Sequence, residues 1–264
     1  MDDMYSQIRF EIIQSVARIT LASPMTRNAL TFPMIDEIKR AISISAEDSS
    51  VRVLLIDGDG ESFCSGDNLK DMGELPYDGD WLQIVKKSWY TTIISMLRSL
   101  PKPVVTLAHG YILGAGLELF MAGDIKIVVN DSQLGIPFAR LGMAAMNYQL
   151  PRSIGSTRAA RMLFTGDLID GQTAVNWGLA TEAVDDIAQL TERGHYWAQK
   201  FDKLSTLSIG IMKETFYRSY EMSESEWLSW WAGQWLNHRA RLDCLGTGEI
   251  DWRQAPAPEL ISDR

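Results

Sequence analysis

Apolar and polar positions change period several times along the chain. Ile8–Ile13 and Val16–Ala22 are short β-type runs separated by a polar step, which predicts a hairpin. Ile35, Ile38 and Ile42 then recur at helical spacing behind Thr31, a capping residue type, and Pro33 in the first turn. That pattern predicts a helix to about Glu47. Val51–Ile56 (VRVLLI), apolar but for Arg52, reads as a continuous strand covered on both faces, and Asp57-Gly58-Asp59-Gly60 ends it as a turn. Leu82, Val85, Trp89, Ile93, Met96 and Leu97 place a helix over Trp81–Leu100, stopping before Pro101 and Pro103. Val104–Leu107 and Ile125–Val129 are further buried strands, and Gly114-Ala115-Gly116 opens a helix between them. Strand and helix alternate through the first two thirds, which predicts an α/β core with parallel pairing.

Beyond Tyr148 the pattern is mostly helical: Ser156–Phe164, Gly171–Trp177, Ile187–Phe201, Ser205–Tyr220 and Ser223–Leu242. The expected organisation is a core over residues 1–200 and a helical region over 201–264. Trp227, Trp230, Trp231 and Trp235 crowd one of these helices, either as core packing within the chain or as a subunit interface. Tandem repeats and low-complexity tracts are not evident.

Charge narrows the function classes. The chain has 264 residues with 25 Lys and Arg against 34 Asp and Glu, a formal net charge of −9. Such a surface repels phosphate backbones and anionic lipid, so neither nucleic acid nor a membrane is an expected partner. The longest apolar stretch, 104–129, is interrupted by His109, Glu118, Asp124 and Lys126, wrong for a bilayer span. Cys64 and Cys244 cannot make a Cys-only metal site, and the acidic start MDDMYSQIRF reads as no targeting segment; reduced thiols and a cytoplasmic location are expected, with no metal.

Two segments carry glycine between a strand end and a helix: Ser62-Phe63-Cys64-Ser65-Gly66-Asp67-Asn68-Leu69-Lys70 and His109 to Glu118. Glycine lets backbone approach a ligand closely, and the first N–H groups of a helix have no partner inside it. One N–H from each segment would make a pair of donors for an oxygen anion, provided the segments converge. A phosphate-binding loop is excluded because no Gly-Lys-Ser/Thr follows, and the third glycine of a dinucleotide fingerprint is missing. Glu118, one turn into its helix, either stabilises the helix N-terminus or acts as a general acid or base beside the donors. His109 is expected in a structural role at its strand end.

These segments, about fifty residues apart, resemble the crotonase (enoyl-CoA hydratase/isomerase) superfamily. The first resembles the family's first oxyanion loop; Pro101-Lys102-Pro103-Val104 with Gly110-Tyr111 and Leu113 to Glu118 resembles its second. Further matches are Pro24 to Leu30 (PMTRNAL), Ala122-Gly123-Asp124, Leu163 to Gly166 (LFTG) and Ala174 to Leu179 (AVNWGL), so the similarity runs from about Ile8 to Trp252. It implies a spiral of ββα units with a C-terminal helical trimerisation region, usually a homotrimer or a homohexamer built as a dimer of trimers.

The resemblance also implies the site. The oxyanion donors fall on the backbone N–H groups of Asp67 and Ala115, and the first hydratase glutamate on Glu118. The second glutamate falls on Phe138, which can neither take nor give a proton. Asp67 is unusual at its place, where a small residue is commoner, and its charge would repel a developing enolate unless paired or turned away. Arg27, Ala29 and Lys70 fall beside the coenzyme A, with the two cations suited to its phosphates. Gly114, Phe138, Met143, Met146, Asn147 and Tyr148 fall along the acyl pocket, apolar and adaptable for the most part. Asn147 and Tyr148 either bond a substrate hydroxyl or support their loop, and the absence of a carboxylate there argues against the family's dehalogenase and hydroxyisobutyryl-CoA hydrolase chemistries.

The function implied is chemistry on an acyl-CoA substrate through a thioester enolate, with no cofactor beyond the coenzyme A thioester itself. Hydration of an enoyl-CoA, or the reverse dehydration, leads. Double-bond isomerisation, C–C bond hydrolysis or decarboxylation, and non-catalytic acyl-CoA binding are alternatives. An acyl carrier protein thioester shares the pantetheine arm and remains open, as does the acyl group.

Overall fold

A computed structural model describes residues 5–73, 89–144 and 147–244 of the chain, with side chains through residue 240. The main sheet has six strands: β1 (Ile8–Ile13), β2 (Val16–Leu21), β3 (Val53–Gly58), β4 (Val104–Ala108), then β6 (Ile125–Val129) and β8 (Glu182–Val184), in that spatial order. β1 and β2 form the expected antiparallel hairpin, and every other neighbouring pair in this sheet is parallel.

The unbroken apolar strands are explained by what covers them. On β3, Leu54 and Ile56 face a core that contains Ile35, Ile38 and Ile42 of helix α1 (Phe32–Glu47) and Ile93 and Leu97 of α3 (Tyr90–Ser99). Val53 and Leu55 face the other way, toward Leu190 and Ala198 of α8 (Ile187–Asp202). With both sides buried, no polar face is left to alternate. Thr31 caps α1 as its position predicts, its Oγ1 accepting the Met34 N–H at 3.1 Å.

A second stack places the chemistry. β5 (Tyr111–Leu113) pairs in parallel with β7 (Gln133–Gly135). Single bridges extend this pairing from Leu30 to Asp67, from Cys64 to Ile112 and from Leu134 to Ile169. β2, β3, β4 and β6 thus each lead through a short second strand or bridge into a helix, among them α2 (Leu69–Gly73) and α4 (Ala115–Met121). This is the spiral of ββα units. The three-residue strands are too short to show a period of two in sequence, which is why they escaped the pattern above.

Gly110 turns the chain between the two stacks. It sits at φ +61, and a Cβ there would lie 1.9 Å from the Glu61 carbonyl oxygen, a backbone atom that cannot move aside. Gly110→Ala is expected to cost about 2 kcal/mol or more in urea unfolding, from clash and left-handed strain together; a loss under about 0.5 kcal/mol would mean that the turn relaxes freely.

The helical tail follows with α5 (Leu150–Ile154), α6 (Ser156–Thr165), α7 (Gly171–Asn176), α9 (Thr206–Arg218) and α10 (Glu224–Cys244). The Trp81–Leu100 helix is described as α3 from Tyr90 to Ser99, and its predicted first part, 81–88, lies outside the described residues. Of the two readings of the α10 tryptophans, Trp231 and Trp235 do not pack into the core, whereas Trp227 is half-buried and its indole N–H donates to the Thr215 carbonyl of α9 at 3.3 Å. The three rings stack on one another at 6.3 and 6.0 Å between centroids. Trp231 and Trp235 are 41% and 50% exposed, beside Leu236 at 70%. Among the described residues no helix is long and apolar enough to cross a membrane, and no cluster of three or more His, Cys, Asp or Glu is arranged to hold a metal ion.

Candidate active site

The two glycine segments converge. The Cys64 N–H donates to the Tyr111 carbonyl at 3.1 Å, and the Leu113 N–H returns to the Cys64 carbonyl at 3.0 Å. A Cβ added at Gly66 would stand 2.8 Å from the Leu113 carbonyl oxygen and 3.5 Å from the Ala115 nitrogen. Asp67 and Ala115 therefore begin on backbones in contact. Ala115 is the first residue of α4, so its N–H has no acceptor within the helix. Gly114 before it takes φ 52 and ψ −122, a conformation open essentially to glycine, and donates to the Gly135 carbonyl at 2.9 Å.

The PMTRNAL segment fastens the first loop from its other side. The Leu30 N–H donates to the Gly66 carbonyl at 2.8 Å and the Ser65 N–H to the Arg27 carbonyl at 2.9 Å. Asn28, buried and left-handed, holds the turn: its Oδ1 accepts the Ser23 N–H at 2.9 Å while Nδ2 donates to the Asp59 and Ser62 carbonyls at 2.9 and 2.8 Å. Ala29 is buried in this segment, whereas Arg27 and Lys70 are exposed, with the Arg27 guanidinium over the Tyr111 ring at 5.2 Å. His109 is buried and structural, its Nε2 lying 2.9 Å from the Gly60 carbonyl. Burial pushes the Cys64 thiol up to about 12, so it stays protonated and unreactive.

Glu118 projects from the first turn of α4. Burial raises its carboxyl to about 7; the Tyr90 hydroxyl, donating to Oε1 at 3.1 Å, and the Arg98 guanidinium oppose the rise, and the Asp67 charge adds to it. Asp67 is also raised by burial, to about 6, against the pull of the Trp89 indole N–H, which donates to its Oδ1 at 2.7 Å, and of its own backbone N–H. Two carboxylates thus share the site, each tuned toward neutrality. Burial, then Glu118 and Asp67, push the Tyr90 phenol upward, so it remains a donor.

Trp89, Tyr90 and Arg98 were not anticipated as site residues. Trp89 fits the helical spacing as an apolar position, but in the structure it immediately precedes α3 and uses its N–H on Asp67. Nothing local in the sequence marks these roles, because the partners lie 22 and 28 residues away.

Phe138 stands over the second loop. A Cβ on Gly114 would meet the tip of its ring at 3.1 Å, so this side chain lies where the donors are and supplies only apolar surface. Asn147 supports its loop: Oδ1 accepts the Gln149 and Leu150 N–H groups at 3.0 and 2.7 Å, capping α5, and its buried Nδ2 has no partner among the described residues. Tyr148 is exposed, with the Arg152 guanidinium 3.6 Å from its ring centroid. Met143 lies at the surface margin, its N–H on the Phe138 carbonyl at 3.0 Å, and Met146 falls outside the described residues. Beside Arg98 a cleft of about 570 Å³ opens, bounded by Tyr148, Arg152, Lys213 and Tyr217. Its lining mixes apolar groups, among them Leu100 and Pro101, with cations and with Glu214 and Glu221, and it does not include Met143 or Phe138.

Comparison with known proteins gives the same direction. A sequence model of the family described as enoyl-CoA hydratase/isomerase matches residues 11–233. A Bacillus subtilis (strain 168) protein described as "Probable enoyl-CoA hydratase" is 30% identical over 223 residues, 82% of this chain and 85% of that protein. The trans-2-decenoyl-(acyl-carrier-protein) isomerase of Streptococcus mutans is 28% identical over 234 residues, 87% of this chain and 84% of its own. The crystal structure of an enoyl-CoA hydratase from Bacillus anthracis superposes with a TM-score of 0.82 at 24% identity, covering 96% of this chain and 98% of its own; at that identity it speaks for the fold alone.

Proposed function

Because this chain belongs to the enoyl-CoA hydratase/isomerase family, we propose that it is an enzyme adding water to an α,β-unsaturated acyl-CoA, or removing water from the 3-hydroxyacyl-CoA, through a thioester enolate. The observation that carries this reading is Glu118: a carboxylate near neutrality, one turn inside the helix headed by Ala115 and facing the Gly66–Asp67 loop. In the proposed reaction the Asp67 and Ala115 N–H groups take the thioester oxygen as charge moves onto it. Glu118 takes the proton from water as its oxygen bonds to Cβ, and a protonated carboxyl of the same site gives its proton to Cα. The Tyr90 hydroxyl holds the orientation of the Glu118 carboxyl, and Phe138 shields the enolate face from bulk water.

Exposed Arg27 and Lys70 on either side of the oxyanion loop are placed in this reading as contacts for the coenzyme A phosphates, with Ala29 beneath the thioester arm. The exposed tryptophan face of α10 is placed at a subunit contact of a homotrimer or homohexamer.

The test is incubation with a panel of enoyl-CoAs in heavy water and mass spectrometry of each thioester. Gain of one water supports hydration. Phe138 favours a second reading, double-bond isomerisation, which needs one base and no water; the isomerase named among the relatives acts in that class, on an acyl-carrier-protein thioester by its name. Deuterium uptake without added water would select it and overturn the first.

A further inference from the structure

Resting on the hydration reading, we propose that Asp67 acts through its carboxyl group as well as its amide: it is the second acid–base group of the site, sharing one proton with Glu118. Adding water across Cα=Cβ requires a proton to leave the water and a proton to reach Cα. Phe138 can do neither, and its ring occupies the space over Gly114. The carboxylate that remains on the same site is Asp67, carried by the residue whose amide faces the thioester.

Geometry makes Asp67 and Glu118 a pair. Consecutive residues at the start of α3 hold one each, Trp89 through its indole N–H on Asp67 Oδ1 at 2.7 Å and Tyr90 through its hydroxyl on Glu118 Oε1 at 3.1 Å. Each of these bonds engages one carboxyl oxygen. Among the described residues no salt bridge neutralises either. The groups that face Asp67 are Trp89, Cys64, Tyr90 and Glu118, and Glu118 faces Arg98 besides. Of these only Arg98 is cationic, so one proton on the pair relieves the repulsion between two half-buried carboxylates.

The step balances without an outside acid. With one proton on the pair, the ionised carboxylate takes a proton from water while the oxygen bonds to Cβ, and the protonated carboxyl gives its proton to Cα. The π electrons move onto the thioester oxygen and return as the Cα–H bond forms. The pair ends singly protonated with the proton on the other member, ready for the reverse reaction or for exchange through water. Substrate binding biases the pair as well. The backbone N–H of Asp67 helps to stabilise its own carboxylate, and a thioester oxygen that takes this N–H withdraws that support and favours the protonated acid.

The experiment is the pH dependence of kcat/KM for hydration by the wild type, Asp67→Asn and Trp89→Phe. The wild type should give a bell, falling when the pair is doubly protonated and again when it is doubly ionised. Asp67→Asn keeps the amide donor and the side-chain shape, yet hydration should fall about 100-fold or more, one limb should vanish, and the affinity for butyryl-CoA should change by less than about threefold. Trp89→Phe removes a donor to the ionised form, so the limb belonging to Asp67 should move to higher pH with the plateau retained. Asp67→Asn hydrating at the wild-type rate with an unchanged bell would overturn the proposal. If that variant does not fold, an unmoved limb in Trp89→Phe would do the same. Absence of water addition by the wild type on the whole enoyl-CoA panel would instead overturn the hydration reading beneath it.

Discussion

Glu118→Gln is expected to lower turnover by about two to four orders of magnitude, the usual worth of a positioned general acid or base, or ~3–5 kcal/mol of barrier. The amide keeps an oxygen for the Tyr90 hydroxyl, so the fold and the first turn of α4 survive. What is lost is the capacity to exchange a proton near neutral pH, which burial of the Glu118 carboxyl supplies. Steady-state kinetics on the best substrate of the panel, with butyryl-CoA affinity measured separately, separates the two effects. Turnover within threefold of the wild type would remove Glu118 from the mechanism. Unchanged binding with collapsed turnover would also tell against a protein that merely holds acyl-CoA.

Lys213→Met is expected to destabilise the chain by about 3–5 kcal/mol, measured by urea unfolding at pH 7. Lys213 sits on α9 with a side chain only 5% exposed, and its ammonium donates to the Leu97 and Lys102 carbonyls at 2.8 and 3.2 Å and to Asp124 Oδ2 at 2.7 Å. Burial lowers the lysine's pKa and the Asp124 charge opposes that shift. Methionine matches the length of the stem but leaves two carbonyls and most of a carboxylate charge without their donor. Asp124 keeps the Val104 N–H at 2.8 Å and the Tyr217 hydroxyl at 3.3 Å, which sets the lower end of the range. The double variant Lys213→Met with Asp124→Asn should recover part of the loss, since the unpaired charge goes with the aspartate. A single-variant cost below about 1 kcal/mol would mean that water reaches the ammonium site.

How far the sequence could be read depended on the range of the forces involved. The apolar run Val53–Ile56 announced a strand buried on both faces because each of its side chains meets apolar neighbours. Thr31 announced the start of α1 because a cap is a contact three residues long. The glycine loops and Glu118 were visible through their resemblance to a family, and their convergence was not, since no local rule relates Gly66 to Ala115. Trp89 shows the limit most clearly. Its spacing in the sequence is that of a core residue of the helix, and only the tertiary structure places it just before α3 with its indole N–H on Asp67. The tryptophans of α10 show another limit: aromatic crowding fits core packing and a subunit contact equally well, and only the structure shows Trp231 and Trp235 stacked with their rings largely exposed.

The second stack, from Leu30 through Asp67, Cys64, Ile112 and Leu134 to Ile169, also governs when the site comes into being. None of its pairings is local: each joins segments separated by at least one helix or strand, and all but the antiparallel Leu134–Ile169 bridge are parallel, so long loops close before contact energy is gained. No fragment that ends before α4 holds the oxyanion donors together, and each carboxyl gains its donor only when Trp89 and Tyr90 dock. Recovery of activity during refolding should therefore follow completion of the whole spiral, lagging behind the appearance of helix, and the active fraction of a preparation counts its fully wound molecules.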